Sequence, residues 1–535
     1  MGQPPHNGLQ ILSSWRIIVC MTASHLALDD LPAHGNSQIV NAASLSLNLA
    51  QPPKAYYSHG WQSWSVTAWI DPDRAYPVMK PTSFHSRQTD PVYATYPHPH
   101  GSWLGAVEID ENDILLLGAL GLEAHVAFRH GQLQGWYETD SSDWFLARGS
   151  ELEVFAHYTD LLGQRFGRTE NKITPSVWCS WYSLYNNINE DILLAALASL
   201  GDLPFDVFQI DDGWQHVPGD WEPNEKFHSG MDSLAAKIKA SGRTAGLWLA
   251  PLVAEKSSSI YSQHPDWLLR NPDGNLYMAG FEWSSETFAL DTTHPEVIEW
   301  LRTLIQKVRG WGYEYLKLDF LFAGALPGKR HIDIPRETAY RKALEVIREA
   351  AGDSYLLLCG TPIMPSLGTC DAIRIGPDVG TWWDSRFYSY FLYNQTAPGL
   401  RNAIRTSLNR LWLAPLVNID PDVTFFSESN SLTSDQMQLF CDLTDICGVK
   451  ATSDLPETWT DIQRKHIRDW LESSPAITRT GRYTFVVDGR QVDFSPAMPL
   501  PPAPRYIDAL LGEILGWLGN QNWVLKLWHW LFRHN

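Results

Sequence analysis

The sequence predicts a multidomain chain of α/β plus β class: an N-terminal β-sandwich, a central parallel (β/α)8 TIM barrel, and a reduced C-terminal region. Three observations carry this. The chain has 535 residues, too many for one compact core and enough for two or three. Residues 1–165 fall into short alternating or apolar runs broken by Gly, Pro, Asp and Asn, the pattern of a sandwich. Across 172–455, apolar strand-like runs alternate with amphipathic stretches, which signals βαβ units on a parallel sheet.

In the first region the candidate strands are 38–50, 105–110, 114–118, 123–128 and 151–157. In the second they are 177–182, 205–210, 244–250, 313–318, 355–359, 372–375, 411–418 and 448–452. Helical stretches lie between them at 191–200, 231–240, 295–310, 336–351 and 434–446, with another expected at about 385–409. Eight strands over roughly 280 residues fit a (β/α)8 barrel with modest insertions. Residues 456–535 form the atypical end: a helix at 458–473, a hairpin-like pair at 482–487 and 491–494, and a Pro-rich stretch at 496–504. The tail, 506–532, reads as a helix with a Trp- and Leu-rich face. Its Asp508, Glu513 and Lys526 argue against a bilayer span and leave docking on the protein's own body, on a partner or on a membrane surface.

Composition narrows the functional class. Hydrophobic residues make up 44% of the chain, so its bulk is globular. The formal net charge of −19 repels phosphate backbones and argues against nucleic acid as a partner, but does not discourage a neutral substrate. The 25 Trp and 20 Tyr supply large cores and, at some positions, flat platforms for sugar faces. Cys20, Cys179, Cys359, Cys370, Cys441 and Cys447 contain no C-x-x-C pair, so neither a zinc ribbon nor a thioredoxin-type site is indicated. They read as reduced thiols of a cytoplasmic protein. The apolar cluster 17–21 is too short for a secretion signal, and no run of about 18 apolar residues predicts a spanning helix. No metal or cofactor is expected.

In a TIM barrel, active residues project from the C-terminal ends of the strands. The ends here carry Trp181 and Tyr182, then Asp211, Asp212 and Trp214, then Trp248, then Lys317 and Asp319, then Cys359. The later ends carry Arg374 and Asp378, then Asn418, Asp420 and Asp422, then Ser453 and Asp454. Some strand-end Asp residues merely cap the next helix, and Asp454 reads that way. Lys-x-Asp closing an apolar strand, and paired Asp before Gly-Trp, are not explained so simply. Carboxylates between flat aromatic walls suit glycoside hydrolysis, which needs two carboxyls, one to give a proton and one to attack or to activate water. Position alone does not say which two.

The stretches Trp178-Cys-Ser-Trp-Tyr182, Phe208-Gln-Ile-Asp-Asp-Gly-Trp-Gln215, Gly246-Leu-Trp-Leu-Ala-Pro251, Leu316-Lys-Leu-Asp-Phe320 and Arg374-Ile-Gly-Pro-Asp378 resemble glycoside hydrolase family 36, the microbial α-galactosidases, in order and spacing. His59-Gly-Trp-Gln-Ser-Trp-Ser65 is similar to that family's N-terminal sandwich, which sends a Trp toward the sugar. The resemblance covers about residues 38–455. It implies Asp319 as nucleophile and Asp378 as acid/base in a retaining double displacement on terminal α-galactosyl residues of sugars such as melibiose or raffinose. It also implies that Asp211 and Asp212 bind ring hydroxyls, and that Trp248 is a stacking wall. Lys317, Arg374, Cys359, Trp181 and Tyr182 would line the pocket, and Trp64, or else Trp61, would reach it from the N-terminal domain. Lys317 and Asp319 share one side of a strand, so the ammonium is expected to lower the Asp319 pKa.

The family often assembles, so the resemblance allows a homo-oligomer. The alternatives are an α-N-acetylgalactosaminidase, a galactosyltransferase of the same family, and a non-catalytic carbohydrate binder. The short C-terminal region departs from the family's substantial C-terminal sandwich.

Overall fold

The structure is a computed structural model that describes residues 17–28, 31–74, 89–93, 96–169, 173–385, 395–427 and 431–500, the first eight of these as backbone only. The first layer is a ten-stranded sheet. Its strands run Ala68–Ile70, Ala55–Ser58, Leu104–Asp110, Asp113–Ala119, Ser142–Gly149, Asn36–Asn48, Gln132–Tyr137, Ala124–Arg129 and His100–Ser102, all antiparallel to their neighbours. Ile17–Leu28 adds to Asn36–Asn48 in parallel.

The expected strand at 151–157 is instead the start of a helix, Glu151–Phe166. Ser150 and Glu153 form a reciprocal capping box there, and Val154, Phe155, Tyr158, Thr159 and Leu162 bury one helical face. The short apolar run matched a strand; the cap and the 3.6-residue period decided otherwise.

The second layer is an eight-stranded parallel sheet. Val177–Cys179, Val207–Ile210, Thr244–Leu249, Tyr315–Leu318, Tyr355–Leu358, Ala372–Arg374 and Asn418–Asp420 lie side by side in chain order, and Ala451–Thr452 pairs with the first. A parallel bridge between Thr424 and Thr452 joins the segment after the seventh strand to the eighth. Tyr-Leu-Lys-Leu and Tyr-Leu-Leu-Leu form the fourth and fifth strands, and the buried charge in them is Lys317. Helices Glu190–Leu200, Met231–Ala240, Pro295–Gly310, Arg336–Ala351 and Ser434–Cys447 lie where periodicity predicts them.

Two strands are displaced from expectation. At 411–418 the chain makes a turn of 3-10 helix, Leu411–Leu413, and the strand begins only at Asn418. Pro415, which has no N–H to give a ladder, lies between them. The first strand stops at Cys179 and the chain turns into a short helix, Trp181–Leu184. Of the helix expected at 385–409, Leu400–Leu408 is observed, and 386–394 lie outside the described residues. The C-terminal part holds helix Asp461–Glu472 and a three-stranded sheet, Ile477–Arg479, Thr484–Val487 and Arg490–Asp493. The tail at 506–532 lies outside the described residues. Among the described residues no helix is long and apolar enough to cross a membrane.

Buried polar contacts tie the two sheets together. The Glu337 carboxylate accepts from Trp61 Nε1 at 3.1 Å, Trp103 Nε1 at 2.9 Å and the Glu123 amide at 2.6 Å. Arg410, fully buried, donates to the carbonyls of Ser63 (2.7 Å), Ile375 (2.9 Å), Gln62 (2.9 Å), Gly60 (3.1 Å) and Ser65 (3.3 Å). Such a clamp fixes the loop 60–65 against the end of the sixth parallel strand.

Candidate active site

The parallel strands bring most of the sequence-predicted residues to one end of the sheet. Asp319 follows the fourth strand and is buried. Its Oδ2 accepts from Trp248 Nε1 at 3.1 Å and its Oδ1 from the Phe320 amide at 2.8 Å. Trp248 stands beside Lys317 in register on the third strand, so both reach the same end. Lys317 does not pair with Asp319. Its Nζ lies 2.8 Å from Asp211 Oδ2, an atom that also accepts from Gln209 Nε2 at 2.6 Å and lies 3.4 Å from Cys179 Sγ.

The expected lowering of the Asp319 pKa is therefore corrected. Burial pushes it up; the Lys317 charge and the N–H groups of Trp248 and Phe320 oppose that without reversing it. Burial alone would lower Lys317, but the Asp211 charge, joined by Cys179 and Cys359, holds the ammonium well above its ordinary range.

Asp212 faces a different set. Its Oδ1 accepts from Gln215 Nε2 at 2.6 Å and its Oδ2 from Trp283 Nε1 at 2.7 Å. Burial, reinforced by the Asp211 charge, raises it to about 6 against those hydrogen bonds. Gly213 follows at φ +112, and a Cβ there would meet the Cα of Asn186 at 2.9 Å. Only glycine lets the Asp-Asp turn close on that segment.

Asp378 follows the sixth strand. Its side chain is 42% exposed, so this carboxyl opens to solvent where Asp319 does not. Desolvation by the surrounding protein and the charge of Asp422 push it up to about 7, against Arg374. Arg374 pairs through Nε with Asp420 at 3.1 Å and through Nη1 with Asp422 at 2.7 Å, while Asp378 stands 3.5 Å away. Asp422 sits at φ +91, accepts from the Val379 amide at 3.0 Å and from the Tyr182 hydroxyl, and is fully buried.

The remaining candidates divide. Trp64 packs edge-on against Phe320 at 5.4 Å, and its ring closes on Gly360, beside Cys359. Its Nε1 is buried with no hydrogen-bond partner among the described residues. Trp61 is instead spent on Glu337 and Arg336. Cys359 is buried, its thiol raised by burial. Trp181 lies partly buried with its ring 5.2 Å from Tyr185. Asp454 accepts from the amides of Phe426 and Ser427, so it serves a loop backbone.

Sequence reasoning missed Trp283, Gln209, Gln215 and the role of Asp422. Gln209 stands two before Asp211 on one strand face and Gln215 lies within the quoted motif, so both were within reach. Trp283 had no signal. It sits with Ser284 in a two-residue hairpin loop between Met278–Glu282 and Ser285–Ala289, both at positive φ, where Asn-Gly is the usual choice.

Asp90, His125 and Glu138 could jointly face a metal ion, but Arg336 fills that position with its own cation, 2.7 Å from Asp90 and 2.6 Å from Glu138.

Buried carboxylates ringed by indole and amide N–H groups at one end of a parallel sheet are the arrangement that defines this chain as a glycoside hydrolase. Residues 149–349 match the family model described as Melibiase. The α-galactosidase TtGalA from Thermus thermophilus, solved in complex with p-nitrophenyl α-D-galactopyranoside, is 42% identical with a TM-score of 0.81, over 86% of this chain and 94% of that one. The chain belongs to glycoside hydrolase family 36, the α-galactosidases. Alpha-galactosidase AgaA of Geobacillus stearothermophilus is 26% identical over 197 residues, 34% of this chain and 26% of that protein. Its crystal structure shares the fold, with a TM-score of 0.54 at 15% identity. The matched segment thus spans about a quarter of that curated relative's length.

Proposed function

We propose that this protein is a retaining α-galactosidase that removes terminal α-galactosyl residues from oligosaccharides such as melibiose or raffinose. The observation that carries this is the contrast between two carboxyls. Asp319 is buried, with an N–H on each oxygen, and Asp378 is open to solvent and raised to about 7. One is held for attack; the other keeps its proton until it is needed.

In this mechanism Asp319 attacks the anomeric carbon as Asp378 protonates the departing oxygen. The intermediate is a β-linked galactosyl ester of Asp319. Asp378, now ionised, takes a proton from water, which cleaves the ester, and two inversions give net retention. Asp211, Asp212 and Lys317 hold ring hydroxyls, Trp248 forms a wall, and Trp64 offers its free indole N–H. Arg374, Cys359, Tyr182 and Trp181 complete the pocket. The parallel sheet is read as a (β/α)8 barrel at 172–455, preceded by a sandwich at 1–165 and followed by a reduced region at 456–535. The complex of TtGalA with stachyose supports oligosaccharides as the substrate class.

Purified protein should release galactose from p-nitrophenyl α-galactoside and from raffinose, and Asp319→Ala should abolish both activities. Faster cleavage of the N-acetylgalactosaminide would point to the sister activity, and predominant transfer to sucrose would point to a transferase. Full activity in Asp319→Ala would refute the mechanism.

A further inference from the structure

Tyr185 is held in a backbone conformation that belongs to glycine. Its φ is 48 and its ψ −136. The Asn187 amide donates to the Leu184 carbonyl at 3.0 Å, so Tyr185 occupies the first central position of a type II′ turn, where glycine is the rule. An aromatic residue there is strained. The turn is fixed from several sides: the Tyr185 amide donates to the Trp181 carbonyl, Lys226 Nζ to the Asn186 carbonyl at 2.9 Å, and Gly213 packs on Asn186.

The strain is not offset by full burial of the side chain, because Tyr185 remains 43% exposed. Its close ring neighbour is Trp181, edge-on at 5.2 Å and 75°. Contacts place the turn beside the two acids: Gly213, next to Asp212, packs on Asn186, and the Tyr182 hydroxyl, next to Trp181, donates to Asp422, which shares Arg374 with Asp378. Asp319 is buried while Asp378 opens to solvent, which places the leaving group on the Asp378 side.

We propose that Tyr185, braced by Trp181, is the platform of a leaving-group subsite that takes the pyranose ring attached to the scissile galactose. This rests on the α-galactosidase function proposed above. A neutral sugar ring presents C–H groups to an aromatic face, and a platform locked by a strained turn is pre-organised for it.

The test compares two donors that share the galactosyl unit. Melibiose carries a pyranose leaving group; α-galactosyl fluoride carries none. Wild type, Tyr185→Gly and Tyr185→Phe are measured on both. The expected result is that the melibiose-to-fluoride ratio of kcat/KM falls about tenfold in Tyr185→Gly and is kept in Tyr185→Phe. Thermal stability of Tyr185→Gly should be equal or higher, because glycine relaxes the turn. An unchanged ratio, a ratio lost equally in Tyr185→Phe, or a lower Tm in Tyr185→Gly would overturn the subsite. Wild-type protein that cleaves neither donor would refute the α-galactosidase function itself, and the subsite with it.

Discussion

Asp422 and Asp378 reach the same nitrogen of Arg374, at 2.7 Å and 3.5 Å. The buried Asp422 holds the closer position, so Asp378 receives less of the guanidinium's stabilisation and also feels a like charge. The groups facing this pair are Arg374, Asp420, Tyr182, Lys317 and Asp319. Replacing Asp422 by Asn removes the like charge and frees Arg374 for Asp378. Both effects lower the pH at which Asp378 loses its proton. The alkaline limb of kcat/KM should move down from near the Asp378 value of about 7, by roughly one unit. A pH–rate profile of Asp422→Asn checks this, and an unmoved limb contradicts it.

The same carboxyl makes a statement about stability. Its folded pKa of about 7 lies above the ordinary 3.8, so between these values the folded state holds a proton that the unfolded chain releases. Stability therefore declines as pH rises through that window and stays lowered above it. Asp378→Asn removes the penalty while keeping the shape. Its Tm should match wild type near pH 4 and exceed it at pH 8, by roughly 1–3 °C, with hydrolysis of poor leaving groups lost. Melting curves at the two pH values decide this; equal Tm at pH 8 counts against it.

Trp283 donates its indole N–H to Asp212 at 2.7 Å from a strained hairpin tip. Trp283→Phe keeps a ring but leaves that oxygen without its donor. A lost hydrogen bond to a charged group is worth about 1.5–3 kcal/mol, so KM for p-nitrophenyl α-galactoside should rise by roughly tenfold or more. The defect should be larger below pH 6, because loss of the N–H lets Asp212, already raised to about 6, protonate more readily. Steady-state kinetics at pH 5 and 7 test both parts, and an unchanged KM refutes them.

Arg410 binds five carbonyls across the junction of the two sheets and fixes the loop that carries Trp64. Arg410→Ala leaves buried acceptors without donors and should cost about 3 kcal/mol or more, a large effect for one side chain. Denaturant unfolding measures it. Arg410→Lys should fold better than Ala yet show a raised KM, because one ammonium cannot span five acceptors. Wild-type KM in the Lys variant would show that the loop does not need the clamp.

Much of this was legible in the sequence. Helices such as Pro295–Gly310 and Arg336–Ala351 announced their bounds through apolar period and flanking residues. Strand ends with Lys-x-Asp or Asp-Asp-Gly-Trp marked the mouth because strand periodicity fixes which residues share a side. What was not legible depends on contacts between distant segments. Nothing local says that Lys317 pairs with Asp211 across two strands and not with Asp319 two residues away. Burial of Asp319, which reverses the expected direction of its pKa, is a property of the packed chain. The Trp283 and Tyr185 turns break the local rule for their positions, so propensity pointed away from them.

The central claim is that Asp319 forms a covalent bond to galactose. A fluorinated α-galactosyl donor with a good leaving group, such as 5-fluoro-α-galactosyl fluoride, slows both steps by destabilising their cation-like transition states, so that the ester accumulates. Digestion and mass spectrometry locate the adduct. The expected result is one galactosyl adduct, on the peptide containing Asp319, absent in Asp319→Asn. An adduct on Asp212 or Asp378, or none while the protein releases galactose with inverted anomeric configuration, would contradict it.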